Sequence, residues 1–180
     1  MVLARLPIDH AWLELTRDNL AAGMIWSIIT GPLLHITSLH LVLDVLGLLI
    51  IGWMLEPRLG RTMPIACIAA NVAVAMAFIV IYPELPAYRG LSAMTHGVLA
   101  AGAAALWRQD ERRLAATIGI ALIGKCAFEL VGDSVTAAAL FGHVESFGSP
   151  VPWTHAIAAI VGTLVPCFGT VESDSSSRSN

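Results

Sequence analysis

A few side chains able to carry or move a proton interrupt otherwise apolar stretches of this sequence: His40 and Asp44, Ser92 and His96, Lys125 and Glu129, and His155. An ionisable group in the middle of a membrane-spanning helix costs roughly 2.5–3.5 kcal/mol, so each calls for a reason. Ser92 has the most to offer, because a hydroxyl becomes a nucleophile once a base takes its proton. It follows Gly90-Leu91 at the predicted start of a helix, where unpaired backbone N–H groups and the positive helix end favour a developing anion. Gly90 permits a tight turn beside it. His96 comes four residues later and shares its helix face. His155 heads another predicted helix, and Ala158, Ala159 and Gly162 give that helix a stripe of small residues for close approach to a neighbour. If that neighbour is the serine helix, the imidazole can accept the Ser92 proton. A lone membrane serine is usually a packing residue and a lone interfacial histidine usually faces water, so the pairing carries the chemistry.

The remaining polar residues admit other roles. His40 and Asp44 are also four apart, with His35 a little upstream in LLHITSLHLVLD. Together with His96 and His155 they are conceivable zinc ligands, but the spacing reproduces no compact ligand pair, and we assign no metal and no cofactor. Lys125 and Glu129, in GKCAFEL, have opposite signs at i and i+4 and are expected to form an intramembrane ion pair, structural or used in substrate docking.

Elements that would position these groups follow from composition. Of 180 residues, 57% are hydrophobic and 13% charged, and the mean hydropathy is +0.76, which places the chain in lipid. Apolar runs bounded by charge, Pro or Gly predict spanning helices near 38–55, 63–82, 91–107, 114–131 and 151–169. EPRLGRT, PELPAYRG, RQDERR and the stretch from Gly132 to Pro150 form the joints. The segment 19–34 is apolar but interrupted by Gly31-Pro32, and reads as a partial crossing or an interfacial helix. The expected fold is therefore all-α, a polytopic membrane bundle of about five spanning helices plus that short N-terminal element. One domain covers 1–170, and the polar tail 171–180 is expected to be disordered. The first fifteen residues lack the features of a removable signal peptide. Cys67, Cys126 and Cys167 fall in apolar runs and read as packing residues. The few scattered Lys and Arg exclude a nucleic-acid partner. Arg58, Arg61, Arg108, Arg112, Arg113 and Arg178 share one side if the helices alternate, which predicts a cytoplasmic C-terminus and puts Ser92 and His155 near the outer face.

Taken together, these residues resemble the rhomboid family of intramembrane serine proteases, and more closely its rhombosortase branch. In rhomboids a HxxxxHxxxN entry is followed by an E-x-R-L-G joint, a GxSx serine helix and a last helix with HxxGxxxG. The matching stretches are His35, His40 and Asp44, EPRLG at 56–60, GLSAMTHG at 90–97, and HAIAAIVG at 155–162. Histidine four residues after the serine and the lysine–glutamate pair mark the rhombosortase branch. The resemblance implies that Ser92 is the nucleophile and His155 the base. It also implies that His96 packs beside the base and that His40 helps hold the oxyanion with the Ser92 backbone N–H. The substrate would be an exported protein whose C-terminal sorting signal holds a Gly-Gly motif, a transmembrane helix and a basic end. The enzyme would lie in a bacterial inner membrane with its site toward the periplasm.

The sequence departs from the family pattern in three places. Asp44 stands where the family has asparagine, and an ionised carboxylate in an oxyanion hole would repel the charge it should stabilise. It is therefore expected to be neutral or turned away to orient His40. Ala158 replaces a glycine, which predicts a wider approach between the last helix and the serine helix. Only a few residues precede the Trp26 region, where the family has a further spanning helix. Two other functions compete: an inactive rhomboid-like protein that binds transmembrane helices, and a metal-dependent membrane hydrolase.

Overall fold

The computed structural model describes residues 10–131 and 152–168. The tail 171–180 and the whole 132–150 joint lie outside the described residues. Among those described, the chain is helical apart from turns and a single antiparallel bridge between Leu15 and Tyr88. Two short helices, α1 (Arg17–Ala21) and α2 (Ser27–Thr30), are followed by a 3-10 turn at Gly31–Leu33 and five longer helices. These are α3 (Ser38–Leu59), α4 (Thr62–Ile81), α5 (Ser92–Arg108), α6 (Arg112–Val131) and α7 (Pro152–Phe168).

Two of them, α3 and α4, are long and apolar enough to cross a membrane. Their large side chains face outward: Leu46, Leu49, Trp53 and Met54 on α3 and Ile65, Ile68, Met76 and Val80 on α4 are exposed. An apolar surface of this kind suits lipid rather than water. Thr37 caps α3 by accepting the backbone N–H of His40 at 3.1 Å. The joint EPRLGRT was expected to end this helix near 55, yet α3 continues to Leu59 with Pro57 inside it. So near the C-terminus, proline sacrifices one backbone hydrogen bond without ending the helix. The stop comes at Gly60, whose φ of 48° closes the turn with its N–H on Glu56 O.

α5 is the central helix and packs against α3, α4, α6 and α7. Its small residues explain the position. A Cβ on Gly97 would meet the Ala70 Cβ of α4 at 2.6 Å, and a Cβ on Gly162 of α7 would overlap the Gly97 backbone. The wider approach expected from Ala158 is absent, because Ala158 is fully buried and the α5 and α7 backbones touch one level below it. Phe78, Val74 and Ala70 of α4, Ala93 of α5 and Ala158 form one core cluster with Leu15 and Tyr88, and Leu55, Ala66, Val98, Ala101 and Leu106 belong to a second.

No continuous helix occupies 19–34. Gly23, at φ 81°, and Gly31-Pro32 break it into short turns, which brace the loop between α4 and α5. The Arg17 guanidinium donates to Phe78 O (2.6 Å), Tyr82 O (2.5 Å) and Leu85 O (2.9 Å) and lies over the Phe78 ring. Arg89 pairs with Glu14 at 2.6 Å, and Tyr88 N–H donates to Leu15 O. At the opposite end the α3–α4 and α5–α6 joints meet, with Arg58 paired to Glu111 and bonded to Gln109. Arg108 there caps the end of α7 through Pro166 O.

Candidate active site

Ser92 is the first residue of α5, and the turn before it depends on Gly90, whose φ of 106° is poorly accessible to other residues. His155 lies in the first turn of α7. The two helices bring Ser92 Oγ and His155 Nε2 to 2.8 Å across 63 residues of sequence. On its other side His155 Nδ1 is 2.8 Å from Glu129 Oε2 of α6, and Glu129 Oε1 is 2.5 Å from Lys125 Nζ. With Nδ1–H donated to the carboxylate, the Nε2 lone pair faces the serine hydroxyl, the tautomer a base requires. His96 stacks on His155, with ring centroids 4.2 Å apart and planes within 6°. Its Nδ1–H donates to Ser92 O at 2.6 Å, which fixes the ring and seals one side of the imidazole. His96 and Ala158 are buried, whereas Lys125 is half-exposed.

A second polar cluster adjoins the serine turn. Asp44 Oδ2 accepts the Leu91 N–H at 2.7 Å and faces His35 Nε2 at 3.2 Å and His40 Nε2 at 3.3 Å. The His40 and His35 rings meet edge to face at 5.1 Å. Asp44 is thus turned onto its own histidines and onto the backbone preceding Ser92, tying α3 to the start of α5. Gly90 nests against this cluster: a Cβ there would lie 3.0 Å from His40 Cε1 and 3.2 Å from Asp44 Oδ2. Ser92, His96, Lys125, Glu129 and His155 therefore form one group and His35, His40, Asp44 and Gly90 another, joined through Leu91.

Three groups, His96, Glu129 and His155, offer metal-ligand atoms within 4.8 Å of one another among the described residues. His40 and Asp44, two members of the conceivable zinc set, are not among them. The donor set fits a metal poorly. The stacked rings hold their nitrogen lone pairs in parallel planes, which keeps them from converging on one tetrahedral centre, and both His155 nitrogens already have partners.

Sequence reasoning missed Tyr88. Fully buried, its hydroxyl lies beside Ser92 and Thr154, and burial pushes the phenol above its ordinary range, so it stays protonated. Its place four residues before Ser92 was a weak signal at best. Nor did spacing link Glu129 to His155, because a contact between α6 and α7 leaves no mark on the i, i+4 pattern of either helix.

A family model, the Rhomboid domain, matches residues 22–169. Neither a curated protein nor a solved structure matches the chain. The match spans both polar clusters and all five long helices, and rhomboids are in general intramembrane serine proteases; the chain belongs to the rhomboid family.

Proposed function

We propose that this protein is an intramembrane serine endopeptidase of the rhombosortase type, with Ser92 as nucleophile and His155 as general base. The observation that carries the reading is the 2.8 Å approach of Ser92 Oγ to His155 Nε2 from separate helices. As Oγ attacks a peptide carbonyl carbon, its proton passes to Nε2 and the carbonyl electrons move onto oxygen. In this reading the backbone N–H groups at the start of α5 receive that oxyanion, with His40, which lies beside Gly90 and faces Asp44, in support. Collapse breaks the C–N bond, and the departing amine takes the proton from Nε2. Water, deprotonated by the same imidazole, then releases the acyl group.

The substrate class is an exported protein ending in Gly-Gly, a transmembrane helix and basic residues. Glycine is a poor helix former and opens the backbone to attack. Residues 1–170 act as one domain with five crossings in a bacterial inner membrane, the C-terminus cytoplasmic and the site toward the periplasm. The meeting of both arginine-bearing joints at one end of the bundle supports this orientation.

A fluorophosphonate probe tests the chemistry: the folded protein is expected to label, and Ser92→Ala to lose the label. No labelling of well-folded protein would favour an inactive, helix-binding rhomboid relative, the reading to which Asp44 in place of asparagine lends support. Stoichiometric zinc together with chelator-sensitive activity would favour a metal hydrolase. Cleavage of a Gly-Gly reporter at the same rate after both glycines become leucine would refute the rhombosortase assignment while leaving the protease intact.

A further inference from the structure

We infer that Glu129 is the positioning carboxylate of a three-helix Ser92–His155–Glu129 triad, with Lys125 anchoring it from the preceding helical turn. The inference rests on the serine chemistry proposed above and adds a member to it. Glu129 divides its two oxygens between two partners: Oε2 takes the His155 Nδ1–H at 2.8 Å and Oε1 takes the Lys125 ammonium at 2.5 Å. An ion pair needed only to neutralise Lys125 has no reason to aim its second oxygen at the base. Each helix supplies one member, Ser92 from α5, His155 from α7 and Glu129 from α6, so the carboxylate also ties α6 to α7, which it meets less extensively than it meets α5.

The chemical consequence lies in the proton. When Ser92 gives its proton to Nε2, the imidazole becomes cationic while Nδ1–H remains donated to Glu129. The carboxylate stabilises that cation without itself accepting the proton. Before the reaction the same bond holds the ring in the Nδ1–H tautomer. His96, stacked on one face of the ring and bonded to Ser92 O, prevents it from tilting out of line. A glutamine at 129 preserves shape but presents an N–H or a weaker acceptor to Nδ1, so the ring can place its proton on Nε2, where it no longer serves as a base.

The test uses full-length protein and a fluorophosphonate, whose reaction needs an activated serine but no knowledge of the substrate. Glu129→Gln is expected to lower the maximal labelling rate by about 10²-fold or more with the probe's half-saturation unchanged. Lys125→Met, which leaves the carboxylate in place but removes one anchor, should fall between that variant and the parent. The strongly deshielded Nδ1 proton expected in the NMR spectrum should vanish in Glu129→Gln. A parental maximal rate in folded Glu129→Gln, or a rise in half-saturation alone as a docking role predicts, overturns the inference. Should Glu129→Gln fail to fold, Lys125→Met decides: an unchanged maximal rate also overturns it. Labelling that survives Ser92→Ala would instead sink the serine chemistry itself, so the two failures are separable.

Discussion

Replacing Gly162 with alanine tests whether the α5–α7 contact sets the Ser92–His155 distance. The added methyl would lie 2.8 Å from Gly97 Cα and C, and closer still to the carbonyl oxygen, where ordinary contact begins at 3.4 Å. Both backbones belong to helices, so neither yields as a flexible side chain would. The carbons require a retreat of roughly 0.6 Å and the oxygen demands more, which sets the parting of the helices at about 1 Å. Gly162 is seven residues from His155, about 10 Å along α7, and a rigid parting carries through to the site. The Oγ to Nε2 separation of 2.8 Å then grows to about 3.8 Å, beyond a hydrogen bond. A displacement of this size is expected to cost about 10²-fold in rate, and overpacking about 1–3 kcal/mol in stability. Both are measurable on one preparation, by fluorophosphonate labelling rate and by thermal unfolding in detergent. Gly47→Ala and Gly119→Ala, where a Cβ meets nothing within 4 Å, serve as controls and should leave the labelling rate unchanged without lowering the melting temperature, which alanine in a helix interior raises slightly. If Gly162→Ala labels at the parental rate and melts at the parental temperature, the helices have slack and the reasoning fails.

Other expectations follow from single contacts. Asp44→Asn keeps an oxygen to accept the Leu91 N–H and removes negative charge beside the serine turn, so activity should be retained or raised; a folded but dead variant would show that the carboxylate has another role. Arg17→Ala removes three donors to backbone carbonyls and a cation–π contact, and should lower stability by about 2–3 kcal/mol in denaturation. Tyr88 is held protonated by burial above its ordinary value of 10.0. The unfolded chain therefore releases this proton first, and stability should fall as pH rises past about 10. Tyr88→Phe should flatten that alkaline decline in melting temperature, and an unchanged slope would show that other groups cause it.

Long apolar segments were legible because lipid imposes a simple length and composition rule. The predicted 91–107, 114–131 and 151–169 lie within two residues of α5, α6 and α7 at their described ends. The end of α3 was misplaced because Pro57 is a strong breaker only in a helix interior, and its last-turn position cannot be judged until the Gly60 stop is known. The segment 19–34, read as a partial crossing or an interfacial helix, is broken by Gly23 and Gly31-Pro32 into short turns that leave Ile25, Trp26, Ile29 and Leu33 exposed. Ser92 and His155 announced themselves through their small-residue surroundings, since close helix approach needs glycine and alanine at fixed intervals. Tyr88 and the Glu129 contact stayed hidden, because they depend on how loops and helix rotations place side chains that carry no periodic signal.

The polar residues gather where the bundle can tolerate them. Ser92 and His155 lie in the first turns of α5 and α7, Glu129 and Lys125 in the last turns of α6, and His40 and Asp44 in the first turns of α3. All of these helix ends converge on one end of the bundle, so polar groups meet at the rim while Leu46, Trp53 and Met76 face outward along the spans. Each charged member has a partner of opposite sign or a hydrogen-bonding histidine within 3.3 Å, which offsets the cost of leaving bulk water. The peptide hydrolysis proposed above needs water as much as it needs a base, and a site at the helix ends can receive it without opening the apolar middle. In this arrangement the braced loop from Tyr82 to Leu91 matters as much as the helices. Arg17, Glu14 and Leu15 fix its path, Asp44 fixes its last backbone N–H before the serine, and Gly90 turns it into α5. The serine is thus positioned from both chain directions, and loosening either support should move it off the imidazole before any helix unfolds.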